Sequence, residues 1–92
     1  MELFFRPKFT REYRSIKNKE VIAEVIKIFQ QVEGAKAITD IGGRKKLENY
    51  AHYYRIKIKI SEKNDYRLVL MIRNNKVSAE HIALATKIFY KQ

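Results

Sequence analysis

Arg55, Lys57 and Lys59 occupy alternate positions in the stretch YYRIKIKI (residues 53–60), and Tyr54, Ile56, Ile58 and Ile60 fill the other parity. Alternation of this kind sends successive side chains to opposite faces of a strand, so the three cations share one face. Like charges on one face repel, and a strand that needed only solubility would mix signs. Such a face is either a solvated edge or one built to bind an anion. Arg67 follows in YRLVLMIR (residues 66–73), and a hairpin between the two stretches brings it beside the Arg55–Lys59 column. Lys87 and Tyr90, just past the last expected strand, are positioned to close the group from one end. The backbone of a polyanion is the most economical partner for these residues together.

Composition narrows the classes. Ninety-two residues make one domain, 1–92, with room for one core. A formal charge of +10 predicts attraction to nucleic acid or to an acidic protein. A membrane surface fits less well, because no helical stretch is basic on one face and apolar on the other along its length. The longest fully apolar run, Leu68 to Ile72, is too short to span a bilayer, and no signal peptide is visible. The absence of cysteine removes disulfides, thiolate metal sites and thiol nucleophiles, and fits a cytoplasmic protein. His52 and His81 lie far apart in sequence with no metal-ligand constellation around them, so neither a metal nor a cofactor is expected. IGGRKK (residues 41–46) lacks the phosphate-loop pattern and reads as a turn followed by a surface cluster of Arg44, Lys45 and Lys46.

The elements that must position these residues follow in a simple order. Residues 1–9 suit a short strand stopped near Pro7. Phe9, Tyr13 and Ile16 are spaced for a helix with Thr10 as N-cap. A phase jump predicts a break at residues 17–19, with Asn18 capping a second helix. Its expected buried stripe is Val21, Ile22, Val25, Ile26, Phe29 and Val32, and Gly34 is expected to close it in a left-handed conformation. The two helices should form an antiparallel hairpin. The Gly-Gly segment is irregular, with Leu47 as an anchor. From Tyr53 onward three strands are linked by hairpins at residues 61–65 and at Asn74-Asn75, ending in a short helix or tail. The class is α+β: an N-terminal strand and a helical hairpin packed on one face of a mainly antiparallel sheet.

In this order and spacing, Lys45-Lys46-Leu47, YRIKIK and YRLVL resemble the RelE/ParE superfamily of toxins from type II toxin–antitoxin pairs, over nearly the whole chain. The resemblance implies a RelE-like domain and, for the RelE branch, a metal-independent endonuclease that cuts mRNA in the ribosome. There a ribose 2′-OH attacks the adjacent phosphate, leaving a 2′,3′-cyclic phosphate and a 5′-OH. Matched residue by residue, the family's site falls on Arg55, Lys57 and Lys59, then Arg67, then Lys87 and Tyr90. The implied partners are the ribosome, mRNA and an acidic antitoxin that wraps the basic surface or displaces the C-terminal element.

Physical chemistry assigns roles to these positions. Crowded cations disfavour one another's charge, which makes Lys57 the candidate general base. Arg67, a permanent fork of donors, suits the scissile phosphate. Lys87 is matched to a second phosphate contact or to protonation of the leaving oxygen, and Tyr90 to stacking on a base or orienting the reacting phosphate. Arg55, Lys59, Arg44, Lys45 and Lys46 are the expected RNA-contacting cations. Lys87 stands where the family usually has arginine, and lysine cannot make the same bidentate contact. Two other readings therefore stay open. One is a ParE-type toxin that binds and inhibits DNA gyrase without enzymatic activity; the other is an inactive member that only binds antitoxin or RNA.

Overall fold

Residues 1–85 are described by the computed structural model, and the expected terminal helix or tail lies outside them, as do Lys87 and Tyr90. Strand β1 (Glu2–Phe5) stops before Pro7, which has no N–H to give to a ladder. Pro7 then opens helix α1 (Pro7–Ser15), with Arg6 as N-cap. This start is earlier than the hydroxyl-cap signal at Thr10 suggests, because the fixed φ of proline suits the first helical position. Thr10 lies inside the helix, and its Oγ1 donates to the carbonyl of Arg6 at 3.3 Å. Helix α2 (Lys19–Gly34) begins as expected: Asn18 Oδ1 accepts from the N–H groups of Glu20 and Val21 at 2.9 and 3.2 Å. Its other end differs from expectation. Gly34 is the last helical residue, and Ala35 follows in an extended conformation, so no left-handed terminus forms.

Within α2, Val21, Val25 and Val32 are fully buried, whereas Ile26 is 45% exposed and drops out of the expected stripe. The helices meet where Phe9 and Phe29 pack edge to face with centroids 5.6 Å apart. A 3-10 turn, Ile38–Asp40, then leads towards the sheet. Asp40 Oδ2 accepts from the N–H groups of Lys36 and Ala37 at 2.9 and 3.1 Å, and these bonds hold its carboxyl below the usual carboxylate range. A depressed folded-state pKa stabilises the fold at pH values above the ordinary one, and that contribution disappears as pH falls through the lowered value. Denaturant titrations of wild type and Asp40→Asn should therefore show a wild-type advantage at neutral pH that shrinks on acidification; a constant gap would count against this role.

Four further strands complete the sheet: β2 (Arg44–Lys46), β3 (Tyr53–Lys59), β4 (Asp65–Arg73) and β5 (Lys76–Leu84). Their spatial order is β1-β5-β4-β3-β2. β1 runs parallel to β5, and every other pairing is antiparallel. The β4–β5 turn uses Asn74 and Asn75 at φ of 52° and 65°, the left-handed values that asparagine tolerates and a tight hairpin requires. Ile56, Ile58, Leu68, Leu70, Ile72, Val77, Ala79 and Ile82 face the helices and form one core with Phe9, Ile16 and the valines of α2.

One irregularity shapes the end of the sheet nearest the cations. The β4–β5 register shifts between Val69, which faces His81, and Leu70, which faces Ala79, so Glu80 is an extra residue in β5. β1 stops pairing at Ala79, and α1 takes over the uncovered edge. Glu12 does this with one carboxylate: Oε1 accepts from the Ile82 N–H at 3.1 Å, and Oε2 lies 2.6 Å from His81 Nδ1. Glu12→Ala removes the acceptor of a half-buried edge donor and a partner of the His81 imidazole at once. It should cost about 1–3 kcal/mol in chemical denaturation, with Glu12→Gln costing less.

Candidate functional site

The β3–β4–β5 register sorts the outer face of the sheet, the one turned away from the helices, into rows. Lys57 faces Arg67, which in turn faces Ala83. The next row is Lys45, Arg55, Val69 and His81; on the other side Lys59 faces Asp65. Directly opposed side chains in such a ladder have Cβ atoms roughly 5 Å apart. Lys57 and Arg67 are thus adjacent like charges held by two backbones, a costly arrangement unless an anion sits between or above them.

Their environments differ in a useful way. Lys57 is exposed and Arg67 is half-buried. Arg67 Nε is buried and has no hydrogen-bond partner among the described residues, so a donor of a permanently charged group is left open. Asp65 Oδ1, two residues away on the same face of β4, is likewise buried without a partner. Lys59 is exposed and lies 3.6 Å from Glu62. Lys57 and Arg67 therefore carry the sharpest anion-binding geometry among the described cations, with Lys59 partly engaged by its own loop.

Arg55 departs from the expectation of an exposed RNA contact: only 7% of its surface is accessible. Parity fixed its face and not its depth. Leu47 and Val69, both fully buried yet outside the main core, occupy the same outer face in its own and the adjoining row. Burial first, and the neighbouring Arg67 charge second, lower the Arg55 pKa from its ordinary value. Arg55 thus stands one row from the Lys57–Arg67 pair, with its charge largely withdrawn from the surface.

The cluster of Arg44, Lys45 and Lys46 is also reassigned. These residues form strand β2, so alternation splits them. Lys45 shares the outer face with Arg55, whereas Arg44 and Lys46 are paired with Ile56 and Tyr54 of the helix-side parity. Arg44 turns back on the preceding loop, where its Nη1 donates to the carbonyl of Ile41 at 2.9 Å. Gly43, at φ 72°, permits the sharp entry into this strand. Arg44 and Lys46 are accordingly not part of the cationic face.

Two residues near the site gave no sequence signal. His81 sits one row from Arg67, with its ring against Glu12; the bulge at Glu80 shifts the parity of β5 and hides that placement from a reading by alternation. Asp65 reads as loop, yet it is the first residue of β4. Its position opposite Lys59 is a consequence of hairpin register, which sequence spacing alone leaves undetermined.

Solved structures supply an independent comparison. The RelB–RelE antitoxin–toxin complex from Methanococcus jannaschii contains a chain that superposes with a TM-score of 0.76 at 14% identity, covering 94% of each chain. The chain has a RelE-like fold. The intact E. coli RelBE toxin–antitoxin complex matches with a TM-score of 0.68 at 21% identity, over 91% of this chain and 95% of that one. Isolated E. coli RelE matches with the same TM-score at 19% identity, over 96% and 87%. No protein-family model and no curated protein matches the chain by sequence. The RelE-like architecture, with its two helices on one face of a five-stranded mixed sheet, agrees with the α+β class expected from the sequence.

Proposed function

We propose that this protein is the toxin of a type II toxin–antitoxin pair and acts as a metal-independent, ribosome-dependent mRNA endonuclease. The observation that carries the reading is Lys57 set opposite Arg67, with Arg67 Nε lacking an acceptor among the described residues. In this scheme Lys57 takes the proton from a ribose 2′-OH. The freed oxygen attacks the adjacent phosphorus, the bond to the 5′-oxygen of the next nucleotide breaks, and that oxygen gains a proton. The products are a 2′,3′-cyclic phosphate and a 5′-OH end. Arg67 holds the phosphate and the charge that accumulates on it, with Arg55 adding positive potential from the next row. Lys87 and Tyr90 are assigned to the leaving oxygen and to base stacking. The expected partner is an acidic antitoxin that covers the cationic face, encoded by a small neighbouring reading frame, and the expected location is the cytoplasm.

The test is a translation reaction with and without the protein, with mRNA 5′ ends mapped. Codon-phased cuts that vanish in Lys57→Ala and Arg67→Ala support the nuclease. Intact mRNA together with inhibited supercoiling by DNA gyrase would replace it with a ParE-type mode of action. The opposed pair Lys57–Arg67 favours the nuclease, because binding gyrase makes no demand for a base beside a phosphate ligand.

A further inference from the structure

Beyond the cationic pair, the outer face carries a second row with a different chemistry. Phe4 of β1 faces Ser78 of β5, Ser78 faces Met71 of β4, and Met71 faces Tyr53 of β3. Directly opposed residues share a face, so Phe4, Met71 and Tyr53 stand on the same side of the sheet as Lys57 and Arg67. Phe4 is 47% exposed, well beyond what a residue that serves only the core needs. At the far end of the row Tyr50, 42% exposed, packs edge to face on Tyr53 with centroids 6.4 Å apart. The ground around Phe4 is a shallow open depression whose lining includes Arg6, Met71, Arg73 and Lys76. Its carboxylates are limited in reach: Glu80 is engaged by Ser78 and Arg6, and Glu2 faces Lys76.

Aromatic faces interleaved with cations are the pattern by which proteins hold single-stranded nucleic acid: cations follow the phosphates while bases stack on rings. We propose that the row Phe4–Met71–Tyr53 is a base-stacking platform for single-stranded RNA, continuing the strand whose phosphate lies at Lys57 and Arg67. One outer-face row of the ladder, Arg55 and Val69, separates them. Arg73, exposed at the end of β4, supplies the next phosphate contact beyond the platform. This inference rests on the reading of Lys57 and Arg67 as an RNA-phosphate site, and it adds where the strand runs next.

The chain has no tryptophan, so Phe4→Trp introduces a single reporter on the platform itself. The experiment titrates wild type, Phe4→Ala, Phe4→Trp and Lys57→Ala/Arg67→Ala with a labelled 2′-O-methyl single-stranded oligonucleotide, which cannot be cleaved. Melting curves check that each variant folds. Phe4→Trp should bind as wild type does, with its fluorescence quenched by the oligonucleotide and unmoved by an abasic sugar–phosphate oligomer of the same length. Phe4→Ala should bind about tenfold more weakly. Unchanged affinity in Phe4→Ala with unmoved tryptophan emission overturns the platform; a loss confined to Lys57→Ala/Arg67→Ala would overturn it too while leaving the cationic site standing. Equal quenching by the abasic oligomer overturns stacking, and quenching only by an acidic peptide overturns RNA as the occupant. Phe4-dependent binding by a protein that cuts no mRNA in translation would keep the platform and remove the nuclease.

Discussion

Arg67→Ala should lower the rate of mRNA cleavage at least about a hundredfold, the cost of losing a preorganised donor to the charge of a transition state. Arg67 has three properties that no neighbour reproduces: it opposes Lys57 across the ladder, it is half-buried, and its Nε has no acceptor among the described residues. The conservative change is informative. Arg67→Lys keeps the charge but loses the fork, so it should recover little of the activity. Lys57→Ala should cost a similar factor for a different reason, the loss of the base. If the two act on one phosphate, the double variant will be far less impaired than the product of the single losses. Initial rates of 5′-end appearance at saturating ribosomes measure all four. Full activity in Arg67→Ala would move the chemistry elsewhere.

Leu70→Ala should remove about 2–5 kcal/mol of stability, a large share of the total that a domain of this size has. Leu70 is completely inaccessible on the central strand β4, between Tyr54 of β3 and Ala79 of β5. The small partner at Ala79 leaves few atoms able to move into the vacated volume, which places the expected cost towards the upper end. Chemical denaturation monitored by far-ultraviolet circular dichroism would read the shift, and a change under 1 kcal/mol would mean that the core repacks around the gap. Because the β4–β5 register changes between Val69 and Leu70, the loss would also loosen the bulge that orients the end of β5.

Alternation in residues 53–60 was enough to fix β3, its core face and the common face of Arg55, Lys57 and Lys59. Asn18 and the Asn74-Asn75 pair were equally legible, since each signal comes from a local backbone geometry that few other residues satisfy. Depth was not legible. Alternation separates two faces of a strand, but it took tertiary packing around Leu47 and Val69 to bury Arg55 and leave Lys57 exposed. Three residues of β2 are too few to show a period, so the split of Arg44 and Lys46 from Lys45 appeared only with the ladder. Both Thr10 and Gly34 carried genuine helix-end preferences that were outcompeted, at one end by Pro7 and at the other by an extended Ala35. The parallel pairing of β1 with β5 joins the first strand of the chain to the last, and no local pattern encodes so distant a contact.

The bulge at Glu80 divides β5 into two halves with unequal fastening. Residues up to Ala79 are clasped by backbone ladders on both sides, whereas beyond it the outer side is closed by the carboxylate of Glu12. On that outer side one side chain does the fastening, while the β4 ladder continues to Leu84 on the other. Transient unfastening of the strand should therefore begin at its Leu84 end and leave Val77 undisturbed. The residues that follow this end include Lys87 and Tyr90. A partner that engages this end of β5 would meet an edge held from its outer side by a single carboxylate.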